Sequence, residues 1–91
     1  MSGRGERGVR IEWTDGGEGA IVRLEGDAVT ILSSVAAPPG ARVEAALVAE
    51  GGARLRFKIH RSRRQPDGSY LLEGRPLDLT RELRERIGRL V

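Results

Sequence analysis

Arg54-Leu55-Arg56-Phe57-Lys58-Ile59-His60 alternates without a break between charged or polar and apolar residues. A repeat of two puts successive side chains on opposite faces of an extended chain, so the segment reads as a strand with one buried and one solvated face. Leu55, Phe57 and Ile59 form the buried set. Arg54, Arg56, Lys58 and His60 form the outer one, and Arg61, Arg63 and Arg64 are expected to enter the following loop.

The same rhythm extends in both directions. Upstream, Val9, Ile11 and Trp13 alternate with Arg10 and Glu12, and Asp15-Gly16-Gly17 follows as a turn. Ala20 to Glu25 and Ala28 to Ser33 read as two more strands around the tight turn Glu25-Gly26-Asp27. Pro38-Pro39-Gly40 imposes a stop, because proline lacks a ladder donor. Alternation resumes from Arg42 to Ala49, where the Ala and Glu content also suits a helix. Gly51-Gly52 and Gln65-Pro66-Asp67-Gly68-Ser69 are turn signals, and Tyr70 to Glu73 is a short sixth strand.

The period then changes. Leu79, Leu83, Ile87 and Leu90 fall on one face of a helix over 79–90, with Thr80 or Asp78 as its cap and Glu82 in its first turn. Six strands and one helix predict a mainly β fold, a small six-stranded antiparallel barrel closed at one opening by a C-terminal α-helix. Residues 1–7 read as a disordered Arg/Gly-rich tail and 8–91 as one domain.

Composition narrows the function. With 91 residues and only Trp13, Phe57 and Tyr70 as aromatics, the core is built from Val, Leu, Ile and Ala, which leaves room for a homodimer or a covering partner. There is no cysteine, so disulfides, thiolate metal sites and a cysteine nucleophile are excluded. No apolar run reaches the roughly 20 residues of a membrane span. Met1 to Arg7 lacks the apolar segment of a secretory signal, and a cytoplasmic location is expected.

His60 is the only histidine, and it reads as a solvated surface residue. No serine has a Gly-x-Ser-x-Gly context, no phosphate loop is present, and the carboxylates are scattered. No enzyme and no resident cofactor or metal is expected. The net charge is +3, and Lys58 is the only lysine among the cations. Arginine suits bidentate phosphate contacts, but Arg, Gly and Ala rise together here, as in GC-rich bacterial genomes, and the acidic residues are interspersed. The outer set Arg54, Arg56 and Lys58 with Arg61, Arg63 and Arg64 is the candidate face for an anionic partner, and nucleic acid is the alternative reading. Arg4, Arg7 and Arg10 form a second cluster in the N-terminal arm.

The order of segments resembles the PilZ domain family of bacterial cyclic di-GMP receptors. Val29-Thr30-Ile31-Leu32-Ser33-Ser34, Pro38-Pro39-Gly40-Ala41-Arg42-Val43, Arg54 to Ser62, Gly68 to Gly74 and Leu77 to Leu83 are similar to that family's strands, Pro-Gly turn and helix entry. The resemblance implies a six-stranded barrel with a C-terminal helix and a non-catalytic part in signalling. Ligand-binding members carry Arg-x-x-x-Arg in the arm and Asp/Asn-x-Ser-x-x-Gly on the early strands. Here the arm arginines are spaced by three, and Arg23-Leu24-Glu25-Gly26-Asp27 stands in place of the second motif. The resemblance therefore implies a divergent adaptor that works through a protein partner, with weak or no nucleotide binding. If cyclic di-GMP is a ligand, it points to Arg4, Arg7 and Arg10.

Overall fold

The computed structural model describes residues 8–48 and 50–90. Six strands form: β1 (Val9–Trp13), β2 (Glu18–Glu25), β3 (Ala28–Ser33), β4 (Arg42–Leu47), β5 (Arg54–Arg64) and β6 (Tyr70–Leu77), followed by helix α1 (Arg81–Leu90). Every neighbouring pair is antiparallel, and the sheet closes in the order β1-β2-β3-β6-β5-β4. The seam is β1 on β4, with Ile11 opposite Leu47 and Trp13 opposite Ala45. The chain is thus the mainly β, closed six-stranded barrel with a C-terminal helix that the alternation predicts. Closure leaves no row of unpaired backbone groups along an edge.

The inward residues are those that the period selects. Val9, Ile11, Trp13, Ile21, Val29, Ile31, Leu55, Phe57, Ile59 and Leu72 are all buried. Each fully buried side chain of this size contributes about 1.5–3 kcal/mol. Trp13 meets Phe57 edge to face, with ring centroids 6.3 Å apart. The indole N–H donates to Ser33 Oγ at 2.9 Å, and that hydroxyl donates to the Val35 carbonyl at 2.7 Å. Among the described residues Ser33 is the buried polar side chain of the core, and it has both its partners.

Several boundaries differ from expectation, each for a tertiary reason. β4 is a strand despite its Ala and Glu, because it is paired on both sides, by β1 and β5. β5 runs on to Arg64, so Arg61, Arg63 and Arg64 lie in the strand and not in a loop. They pair with Glu73, Leu71 and Tyr70, and the hairpin turns only at Gln65, whose N–H donates to the Ser69 carbonyl at 2.7 Å. Gly68 takes φ 92 in that turn, a left-handed value that suits glycine. β6 continues past Glu73 to Leu77, and Pro76 is accepted there because the pairing with β3 ends at Gly74.

The helix begins at Arg81, two residues after the expected start. Thr80 is its cap, with Oγ1 accepting the Leu83 N–H at 3.1 Å. Asp78 instead takes φ 55 at the strand-to-helix bend, and its carboxylate accepts from Arg56 at 3.1 Å. Ile87 is buried, and Leu79 and Leu83 pack against the core, while Leu90 lies half exposed. Arg84 donates to the Gly26 carbonyl and lies 3.8 Å from Asp27, which ties α1 to the β2–β3 turn. Among the described residues no helix is long and apolar enough to cross a membrane.

Two strands break their own alternation. β2 shifts register between Ile21 and Arg23, and β5 between Ile59 and Arg61. Each bulge inserts one residue and reverses the phase behind it. In β5 the outward residues are even-numbered up to Lys58 and odd-numbered from Arg61. The second bulge lies against Gly74, where an added Cβ would stand 2.1 Å from the Lys58 carbonyl oxygen and 3.0 Å from Ile59 Cα. No side chain fits.

Two substitutions test this geometry in opposite directions. Gly74→Ala is expected to destabilise the barrel by about 2–3 kcal/mol, as backbone must move to admit a methyl group. Gly88→Ala, at an open helical position, is expected to stabilise it by about 0.5–1 kcal/mol. Denaturant unfolding of both variants measures the difference.

Candidate functional site

Two outer faces of the barrel gather the chemistry. The first is a row running across five strands. Register places Arg10, Ala20, Leu32, Leu71 and Arg63 side by side from β1 through β2, β3 and β6 to β5. Residues directly opposite one another point to the same side of a sheet. Ala20, Leu32 and Leu71 therefore form an apolar strip on the outside of the barrel, with an arginine at each end. Leu32 is 37% exposed. A hollow of about 530 Å³ opens over the β1–β3 part of this strip, lined by Arg10, Glu18, Ala20, Leu32, Asp67 and Ser69 among others.

The hollow is charged at its rim. Arg10 lies 3.4 Å from Glu18, and both are well exposed. Asp67 accepts from Ser69 Oγ at 2.6 Å and from Ser69 N–H at 2.9 Å. These two bonds, the hydroxyl first, hold the Asp67 carboxyl below the usual carboxylate range. Of the expected nucleotide-binding arginines, Arg10 lies in this hollow, while Arg4 and Arg7 lie outside the described residues.

The second face is cationic and lies on β4, β5 and β6. Because the bulge at His60 reverses the phase, Arg54, Arg56, Lys58, Arg61 and Arg63 all project outward from β5. Arg64 is opposite Tyr70 at the end of the strand. Arg56 is shared between Glu44 at 3.6 Å and Asp78 at 3.1 Å, and Arg61 meets Glu73 at 3.8 Å. Exposed pairs of this kind contribute about 0.2–1 kcal/mol. His60, at the bulge, is exposed.

The pairing register adds two cations that sequence reading missed. Arg42 is opposite Lys58, and Lys58 is opposite Arg75. Three cations thus stand shoulder to shoulder on three adjacent strands. Alternation alone puts Arg42 on an outer face, but only the register sets it beside Lys58. Arg75 lies beyond Glu73, where the sequence pattern ends the sixth strand. No Asp or Glu among the described residues pairs with Arg42, Lys58 or Arg75.

The fold and these faces define a small closed antiparallel β-barrel domain with a helical plug, whose distinctive groups all lie on its outer wall. Comparison with family models, curated proteins and solved structures finds no match to this chain.

The Asp67 arrangement has a pH signature. Its carboxyl is depressed in the folded state, so the linked stability is present above the ordinary carboxylate range and is lost as pH falls through the lowered value. In an NMR titration the Asp67 carboxyl is expected to protonate below the ordinary range. Ser69→Ala should return its midpoint toward that range.

Proposed function

We propose that this chain is a non-catalytic, PilZ-like signalling adaptor, cytoplasmic in location, that acts by contact with a protein partner and binds cyclic di-GMP weakly or not at all. The observation that carries the reading is the apolar strip of Ala20, Leu32 and Leu71 with Arg10 and Arg63 at its ends. A small apolar centre inside a charged rim is the anatomy of a protein contact. The centre loses water on docking, and the rim sets orientation.

The six strands with one terminal helix agree with what the family resemblance implies. The weak-nucleotide half of the reading rests on the arm and on Glu18. The arm arginines lack the family's spacing, and the carboxylate beside Arg10 stands where a phosphate would approach it.

Two measurements test the proposal. Calorimetric titration with cyclic di-GMP is expected to show little or no heat, and a tight, stoichiometric response that Arg10→Ala abolishes overturns the nucleotide half. A photo-crosslinking residue at position 32 is expected to capture one dominant protein in the native cell. Leu32→Glu should abolish the same complex, assayed with the protein so identified, and change the melting temperature little, as strand preferences at an exposed site span only about 1 kcal/mol. A complex that survives Leu32→Glu sinks the contact half.

A further inference from the structure

The row Arg42–Lys58–Arg75 is costly as it stands. Like charges directly opposite on neighbouring strands repel. Strands are about 4.8 Å apart, so three cations occupy a span of about 10 Å. The carboxylates that could relieve them are already engaged: Glu44 and Asp78 with Arg56, and Glu73 with Arg61. Arg54 and Arg63 extend the positive field along β5. Seven outward cations on this face stand against those three carboxylates, a larger excess than the net +3 of the whole chain.

We infer that the β4–β5–β6 face is a docking surface for the phosphate backbone of a double-stranded nucleic acid. The face offers dense, fixed positive charge on a rigid closed sheet. Trp13 and Phe57 point into the core and Tyr70 is half-buried, so no exposed ring is available to stack on unpaired bases. A duplex needs none, because its bases are already stacked and its phosphates line the outside. A lipid surface fits less well. The exposed large apolar residues among those described, Val22, Leu32, Val35, Val48 and Leu90, all lie outside β4, β5 and β6, and the outward Leu71 and Leu77 of β6 are half-buried, so this face offers little that can insert. Contact through phosphates alone carries no base information, so binding is sequence-independent. This surface shares Arg63 with the end of the Leu32 strip, but the row Arg42–Lys58–Arg75 lies outside the strip, so the inference stands or falls independently of the adaptor reading.

Fluorescence anisotropy with a short labelled DNA duplex tests it. Binding is expected at low salt, weakening about a hundredfold between about 50 and about 200 mM salt, the loss that about three to five neutralised phosphates produce. Two duplexes of unrelated sequence should bind equally, and a single strand of the same length more weakly. The triple variant Arg42→Gln, Lys58→Gln, Arg75→Gln should lose at least about tenfold in affinity at low salt and flatten the salt slope by about one per cation removed. It should melt no lower than the parent, since it relieves repulsion. If it fails to fold, the single Lys58→Gln variant carries the same comparison. Leu32→Glu should bind duplex as the parent does. No duplex binding at low salt, affinity untouched by these Gln variants, or tighter binding to a single strand, to polyglutamate or to anionic phosphatidylglycerol vesicles would each overturn the inference.

Discussion

The close approach of β6 to β5 at Gly74 is the constraint on which the rest of the barrel depends. Backbone meets backbone there at a distance that excludes any Cβ. This lets β5 bulge at His60 and bend around the barrel instead of running flat past it. Gly74 also pairs with Val29 of β3, so the same residue joins both neighbours of β6. The bulge then decides what faces water. Ile59 points in, and behind the inserted residue Ser62 points in opposite Leu72, while Arg61 and Arg63 point out. An unbulged β5 would turn Arg61 and Arg63 toward the core, where an unpaired guanidinium is very costly. One glycine thus stands behind both the closure of the sheet and the cationic face.

Charge on the barrel is sorted by strand. Glu12 and Glu18 are directly opposite on β1 and β2, and Arg10 bridges to Glu18. Around the rest of the wall, from β6 through β5 to β4 at the seam with β1, lies the cationic face. Arginine enrichment across a whole chain is a property of composition and says little about binding. Three cations brought into one cross-strand row, with the neighbouring carboxylates engaged elsewhere, is a property of register, and it carries information that composition does not. The apolar strip through Leu32 runs from Arg10 on β1 to Arg63 on β5, so the outer wall carries surfaces of different chemistry.

Much of the fold was legible because burial follows a local period. Val9, Ile11 and Trp13, or Leu55, Phe57 and Ile59, announce a half-buried strand whatever they pair with, and Leu79, Leu83 and Ile87 announce a helix face. The helix start was blurred, since both Thr80 and Asp78 have capping side chains and only the bend showed which one caps. The bulges left a faint trace. Ile21 and Leu24 both face in with two residues between them, a break in the period of two that marks an inserted residue. In β5 the corresponding trace is Ile59 and Ser62, and a serine is too weak an apolar signal to reveal it. The candidate sites were read less completely. Alternation places Arg42, Arg54, Arg56 and Lys58 on outer faces, but only register shows that Arg42 and Arg75 stand beside Lys58.

The sequence by itself determined the kind of elements, their number and their inner faces, because these depend on spacing within a few residues. Only the tertiary structure decided which strands pair, where β5 and β6 end, which way Arg61 and Arg63 point, and that Arg42, Lys58 and Arg75 share a row. Those outcomes depend on register between segments distant along the chain, which hydrogen bonding and the approach of bare backbone at Gly74 set together.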